Sequence, residues 1–449
     1  MKKIFLIITS LLFAGLSAQE HFSGIGTSQR TGLLNAGINP AELPNLTKPY
    51  DITIFAASVK ASSNQLGFSD LLSSTNLKNK LFNGKDAASL SFDGEIYGPG
   101  IAFKLDKWGF AFTTKAYAKL DVVDVDNNLG NALSQSIINS FFVGSTQINN
   151  NYNQRIIGTS WGEIGFSAAR NLYEDSQHKL NAGATLKLLF PGSYANFGAD
   201  KFNGTINNDF GNLTLTNTVA NLNIAYSGNL GDDFTKFEDY AKSLYGKLNG
   251  VAADIGVNYQ LKDNDGEHYK LNVGLSVKNI GGMTLKSSNN SATNYVLTVQ
   301  GTDSLNINQF QNAKSMAEVE RILLASGFLN KTNKEKTDFK IKLPTIFSGY
   351  ADVKIVPDFY VTVFTQQRLK KNDENDQITS QNIISLTPRY TLKNYEVYLP
   401  FSHNEISGIA GGLGFRAYGF HIGSGSIITA LVSDSKQADA YVGYSFKLD

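Results

Sequence analysis

The sequence predicts an all-β protein: a transmembrane antiparallel outer-membrane barrel of about 14 strands, with an N-terminal hatch or plug and helical segments in long extracellular loops. Three observations predict it. Apolar residues recur at every second position in run after run. Many of these runs reach 11 to 15 residues, whereas ordinary strands peak near 5–6 and a tilted transmembrane strand needs about 9–11. Short and long connections alternate along the chain, the plan of a barrel with tight turns on one side of a membrane and long loops on the other.

The chain opens MKKIFLIITSLLFAGLSAQE. Lys2 and Lys3 form a charged start, Ile4 to Phe13 a short apolar stretch, and Ser17-Ala18 a small-residue cleavage site, so residues 1–18 read as a cleaved secretory signal peptide. Residues 19–49 are rich in Gly, Asn and Pro and lack β alternation. A ring of 14 strands is too wide for its own side chains to fill. This segment, whose Phe22, Ile25, Leu33, Leu34, Ile38 and Leu43 need burial, is expected to fold into the lumen as a plug. Residues 50–449 then form the barrel.

Strands are expected near 50–62, 87–105, 108–122, 152–170, 178–191, 250–262, 268–281, 339–355, 359–370, 378–392, 395–402, 408–416, 419–431 and 438–448. Trp108, Phe110, Phe112, Ala116, Ala118, Leu120 and Val122 share one face while Lys115, Tyr117, Lys119 and Asp121 share the other. Short turns such as Asp106-Lys107, Val356-Pro-Asp358 and Leu392-Lys-Asn394 alternate with long connections at 63–86, 124–151, 192–249 and 282–338. An even count places both chain ends on the short-turn, periplasmic side. The stretches 203–227 and 283–302 read as hairpins within the long loops. Helical stripes are expected at Leu129, Leu133, Ile137 and Phe141, at Phe234 to Leu248, and after a capping box of Ser315 and Glu318.

The chain ends DAYVGYSFKLD. Val442, Tyr444, Phe446 and Leu448 are expected to face lipid, and Tyr441, Ser445 and Lys447 the lumen, with this strand pairing back onto the first so that no edge is left open. The lumen-lining candidates in this register include Asp93, Glu95, Lys115, Lys119, Glu163, Asp254, Lys270 and Arg389. Their mixed charge fits salt bridges among themselves and with the plug.

Composition narrows the chemistry. Lys plus Arg number 40 and Asp plus Glu 39, so no net field draws nucleic acid, and no basic-aromatic pattern does either. Cysteine is absent, which removes thiol catalysis and thiolate metal sites. None of the five histidines has a metal-binding spacing. Ser402-His403-Asn404 holds the residue types of a hydrolase, but neighbours on a strand point to opposite faces. Gly412 and Gly414 lack the strand-turn-helix context of a dinucleotide site, and Asp124, Asp126 and Asn128 miss the glycine and glutamate of a calcium loop. No catalytic, metal or cofactor residue is expected; the chain does not read as an enzyme. The Lys370 to Asp376 stretch reads as a solvated loop tip.

Asn39-Pro40-Ala41 resembles the motif in the N-terminal hatch of the long-chain fatty-acid transporter (FadL-like) superfamily, and the stretch from Leu343-Pro344 through Pro400 to Phe446 is similar to an uncharacterised branch of it. The resemblance implies a 14-stranded barrel with a hatch, in the outer membrane of a Gram-negative bacterium. It implies passive uptake of a small hydrophobic or amphipathic compound, with the lipid bilayer as surroundings. The alternating end Tyr444, Phe446, Leu448 resembles the signal read by barrel-assembly machinery. The shuttle protein of type IX secretion belongs to the same superfamily, so a binding or scaffold protein for a secreted or surface partner is the alternative.

Overall fold

The computed structural model describes residues 21–73, 77–134, 143–228, 246–263, 268–286, 289–333 and 337–449. The signal-peptide stretch, the stripe from Phe234 to Tyr245, Ile137 and Phe141 lie outside the described residues.

One antiparallel ring carries the fold. Its strands are β1 (Tyr50–Ser63), β2 (Ala88–Tyr97 and Gly100–Leu105), β3 (Trp108–Val125), β4 (Gln154–Glu174), β5 (His178–Asp209), β6 (Gly250–Lys262) and β7 (Tyr269–Lys286). They continue as β8 (Asp338–Lys342 and Ile346–Val356), β9 (Phe359–Arg368), β10 (Ile383–Thr391), β11 (Tyr395–Tyr398 and Phe401–Asn404), β12 (Gly408–Gly411 and Leu413–Ala417), β13 (Phe420–Ser424) and β14 (Gln437–Leu448). Each pairs with the next, and β14 closes on β1 from Tyr50↔Leu448 to Ser62↔Gln437. The count of fourteen is therefore met, and the last strand has a partner along its full length.

Two faces separate cleanly. On β1, Ala56, Ser58, Lys60 and Ser62 are buried inside, while Ile54 and Val59 are exposed outside. The outer surface carries Ile96, Phe166, Leu186, Val251, Ile255 and Ile422, all exposed. Aromatic pairs gird the short-turn end: Tyr50 with Phe103, Trp108 with Phe110, Tyr395 with Phe415. Water does not tolerate such a continuous apolar wall; a bilayer requires one. Among the described residues no helix is long and apolar enough to cross a membrane.

Several boundaries differ from expectation for physical reasons. β2 splits at Gly98-Pro99, because Pro99 has no N–H to offer a ladder. β5 runs on past 191 to Asp209. Below Pro191 it pairs with β6, and above it with the strand Asn212–Ser227, so proline sits where the partner changes. β10 begins at Ile383 rather than 378, and β13 stops at Ser424 rather than running to 431; a helix, Ile427–Val432, follows.

Beyond the ring, the long loops build a crown with its own core. Upper β5 and the strands Val143–Asn149, Asn212–Ser227, Ser291–Val299 and Leu329–Lys331 extend the sheet. Phe202, Leu215, Leu222, Ile224, Leu297 and Leu323 pack together there. Ser315 caps the helix Met316–Ala325 by accepting from the Glu318 N–H at 3.2 Å, and Tyr226 donates to Glu320 at 2.9 Å. Leu129 of the helix Asn127–Ser134 is buried in this core, while Leu133 is exposed.

Candidate functional site

The lumen is the candidate site, and the N-terminal segment occupies it. Phe22, Ile25, Leu33, Leu34, Ile38 and Leu43 are all buried. Asn39 precedes the short helix Pro40–Asn45 and caps it, its Oδ1 accepting from the Ala41 N–H at 3.0 Å. Pro40 fits the first helical position, where no N–H is needed. The Asn39 Nδ2 donates across to the Val257 carbonyl of β6 at 2.8 Å. The three motif residues thus link a local turn to the barrel wall.

The wall is shaped to admit this backbone. A Cβ on Gly109 would meet Leu43 at 2.5 Å, one on Gly183 would meet Pro40 at 2.7 Å, and one on Gly256 would meet Asn39 at 2.0 Å. Glu42, buried, accepts from Asn258 at 2.9 Å, Asn272 at 2.8 Å, Asn45 at 2.7 Å and the Tyr350 hydroxyl. Ser276 and Lys278 of β7 donate to the Ile38 and Gly37 carbonyls, and Tyr441 of β14 to the Ser23 carbonyl at 2.8 Å.

The predicted lumen charges gather into buried pairs. Asp93 faces Lys119 and stands 3.2 Å from His21 of the inner segment. Glu95 lies 3.4 Å from Lys115; Lys187 lies 2.9 Å from Asp254 and 3.7 Å from Glu163; Arg389 bonds Asp352. His21, Asp93, Glu95, Lys115, Lys119 and Glu163 border a cavity of about 100 Å³ between segment and wall. Lys270 is placed differently. The ladder shifts register between Tyr269 and Leu271, which turns Tyr269 inward to Asp352 and leaves Lys270 exposed, 3.5 Å from Asp263.

A second insertion comes from the outer side. Lys370, Lys371 and Asp373 are exposed, as a loop tip is, but Gln377 to Gln381 turn inward and are buried. Arg155 of β4, fully buried, donates to the carbonyls of Asn372 at 2.6 Å and Gln377 at 3.1 Å and to Asn196 at 2.9 Å. Lys119 donates to the Thr379 carbonyl and Thr379 to Asp121. This explains why the expected strand at 378 starts late. Sequence reasoning missed Arg155, Glu42 and the three glycines; only Glu42, directly after the motif, had a nearby signal.

The ladder of the wall is interrupted between β12 and β14. Gly408–Gly411 pairs with Phe401–Asn404 on one side, and β13 ends opposite Leu413. β14 meets β13 only from Tyr441 to Tyr444, although its other edge is paired from Gln437 onward. The helix Ile427–Val432 fills the interval. Its Thr429 hydroxyl accepts from the Gly411 N–H at 2.6 Å, Gly425 donates to Asp439 at 2.6 Å, and Leu431 and Val432 are about four-fifths exposed. A Cβ on Gly425 would come within 2.8 Å of Ser23, so the inner segment lies directly behind.

The sites set aside on sequence have structural roles. Asp126 caps the helix Asn127–Ser134 by accepting from the Asn128 and Leu129 N–H groups. Gly414 lies against the Tyr398 ring. Among the described residues no group of three His, Asp or Glu is placed to hold a metal.

No curated protein matches the chain. Among solved structures it is similar to a monoaromatic hydrocarbon channel, the TodX deltaS2S3 mutant, at 8% identity and a TM-score of 0.48, covering 93% of this chain and 95% of that one. It is similar to the Pseudomonas putida toluene transporter TodX at 9% identity and a TM-score of 0.41, covering 97% and 96%. It is also similar to the Ralstonia pickettii toluene transporter TbuX at 10% identity and a TM-score of 0.41, covering 94% and 95%. A family model matches residues 40–425, most of the chain, and the protein belongs to that family, the family of unknown function DUF5723.

Proposed function

We propose that this protein is an outer-membrane channel for passive uptake of a small hydrophobic or amphipathic compound, with the N-terminal segment as its plug. The observation that carries the reading is the interruption between β12 and β14. An apolar helix, not a hydrogen-bonded strand, separates the plugged lumen from the surrounding bilayer there. Moving a strand out of a sheet breaks its ladder; moving this helix breaks the Thr429 and Gly425 bonds. A compound reaching the lumen past the plug has a low-cost way into or out of lipid at this point.

The plug is held by bonds of two kinds. Neutral amides, carbonyls and hydroxyls tie Ser23, Ile38 and Asn39 to the wall, while charged groups take part at Glu42, at Asp93 facing His21 and at Lys278 facing the Gly37 carbonyl. The test is uptake by vesicles or cells carrying the intact chain or a chain lacking residues 20–48. A channel gated by the plug changes its uptake of hydrophobic probes on deletion; unchanged uptake of every probe overturns the gating.

A second reading has its own support. The crown has a packed core, so it presents a firm outer surface of the kind a secreted or surface protein binds. Recovery of a partner at unit ratio on the intact protein, lost when the crown strand Ser291–Val299 and the helix Met316–Ala325 are removed, supports it. Absence of any stoichiometric partner counts against it.

A further inference from the structure

The periplasmic mouth is a basic bowl in a protein whose formal net charge is only +1. Beneath the inner segment lies a cavity of about 1050 Å³, bordered by nine Lys and Arg side chains but only two acidic ones, Glu174 and Glu396. Some of these cations are matched: Lys262 by Glu174, Arg416 by Glu396, Lys48 by Asp449 and Arg389 by Asp352. Four have no carboxylate within salt-bridge distance among the described residues: Arg30, Lys104, Lys179 and Lys393. The side chains of Arg30 and of the two lysines on β2 and β5 donate to carbonyls, of Leu392 and Lys393, Leu46, and Pro44. Burial pulls the Arg30 pKa below the ordinary guanidinium value, with Glu396 opposing the shift and Arg416 and Arg389 adding to it.

We propose that this bowl docks an acidic segment of a periplasmic protein. Geometry selects a peptide over a small anion. Lys104 on β2 and Lys179 on β5 reach carbonyls two residues apart, while Arg30 and Lys393 meet at the turn between β10 and β11, so the unmatched cations form two groups on different sides of the ring. Strands about 4.8 Å apart and tilted about 40° give a ring of this count a diameter of roughly 28 Å. No single carboxylate or phosphate spans such a distance. An extended segment of about eight residues, at about 3.3 Å each, does. Tyr269, Tyr360 and Tyr418 also border the bowl and offer apolar surface to its stem. The proposal concerns the periplasmic end alone and does not depend on what passes through the lumen.

The test uses the full mature chain in detergent or nanodiscs and a fluorescein-labelled octaglutamate peptide, read by anisotropy. Binding is expected, with affinity falling as NaCl rises from about 50 to 300 mM. Lys104→Gln, Lys179→Gln and Lys393→Gln together should weaken it about tenfold; glutamine keeps a donor for the Leu46 and Pro44 carbonyls. Lys393→Gln alone, at an exposed turn, should lower affinity without touching the fold. Equal binding of octaglutamine, or unchanged octaglutamate affinity in both variants, overturns the proposal. Citrate or inorganic phosphate binding as tightly as the peptide overturns it in favour of a small-anion site.

Discussion

At the scale of single residues, Asn39 and the buried ion pairs are the most sensitive points. Asn39 caps one turn and ties it to β6, so Asn39→Ala removes a cap and the bond to the Val257 carbonyl. The expected cost is about 1–3 kcal/mol, read as faster proteolysis of residues 21–49 in the folded barrel. A variant as resistant as the parent would show that the motif does not hold the segment. Asp93→Ala removes the carboxylate that pairs with buried Lys119, at an expected cost of about 3–5 kcal/mol, whereas Asp93→Ala with Lys119→Met should recover most of that loss. The unfolding midpoints of the four proteins in the cycle decide it. These positions were readable to different degrees. Alternation alone put Asp93, Lys115, Lys119 and Asp254 inside. It misplaced Lys270, because a one-residue register shift leaves no mark in composition.

At the scale of elements, fourteen strands were legible because each must sort its faces between lipid and lumen. What was not legible depends on partners distant in sequence. Arg155 is explained only by a loop more than two hundred residues on. β13 could not be separated from its helix, since Ile427, Ile428, Leu431 and Val432 suit a lipid-facing strand and an apolar helix alike. The helix carries a direct prediction. Ser407 and Gln437 touch across the interruption at 3.3 Å, and the chain has no cysteine. Ser407→Cys with Gln437→Cys, joined by a short bis-methanethiosulfonate that forms a disulfide with each thiol, should block uptake of hydrophobic probes, and reductant, by cleaving those disulfides, should restore it. Full uptake in the crosslinked protein would remove the helix from the route.

At the scale of the whole molecule, the question is whether the lumen is a permanent core or a closed passage. A permanent core would bury its polar groups once and have no use for a wall that is weak at one place. Here the inner segment reaches from the periplasmic bowl to Gly425, and the Gln377–Gln381 stretch descends from the outer side. On the proposed reading, the two insertions close the barrel in series. Removing residues 20–48 opens only the lower one, so the deletion should admit small sugars poorly while Arg155 still holds the outer loop. Adding Arg155→Ala should release that loop and raise sugar permeation well above either change alone. Liposome-swelling rates of the three variants measure this. Equal swelling for the single deletion and the double variant would mean that the outer stretch closes nothing. A large gain only in the double variant would establish two barriers in one channel, with the helix Ile427–Val432 lying beside the space between them.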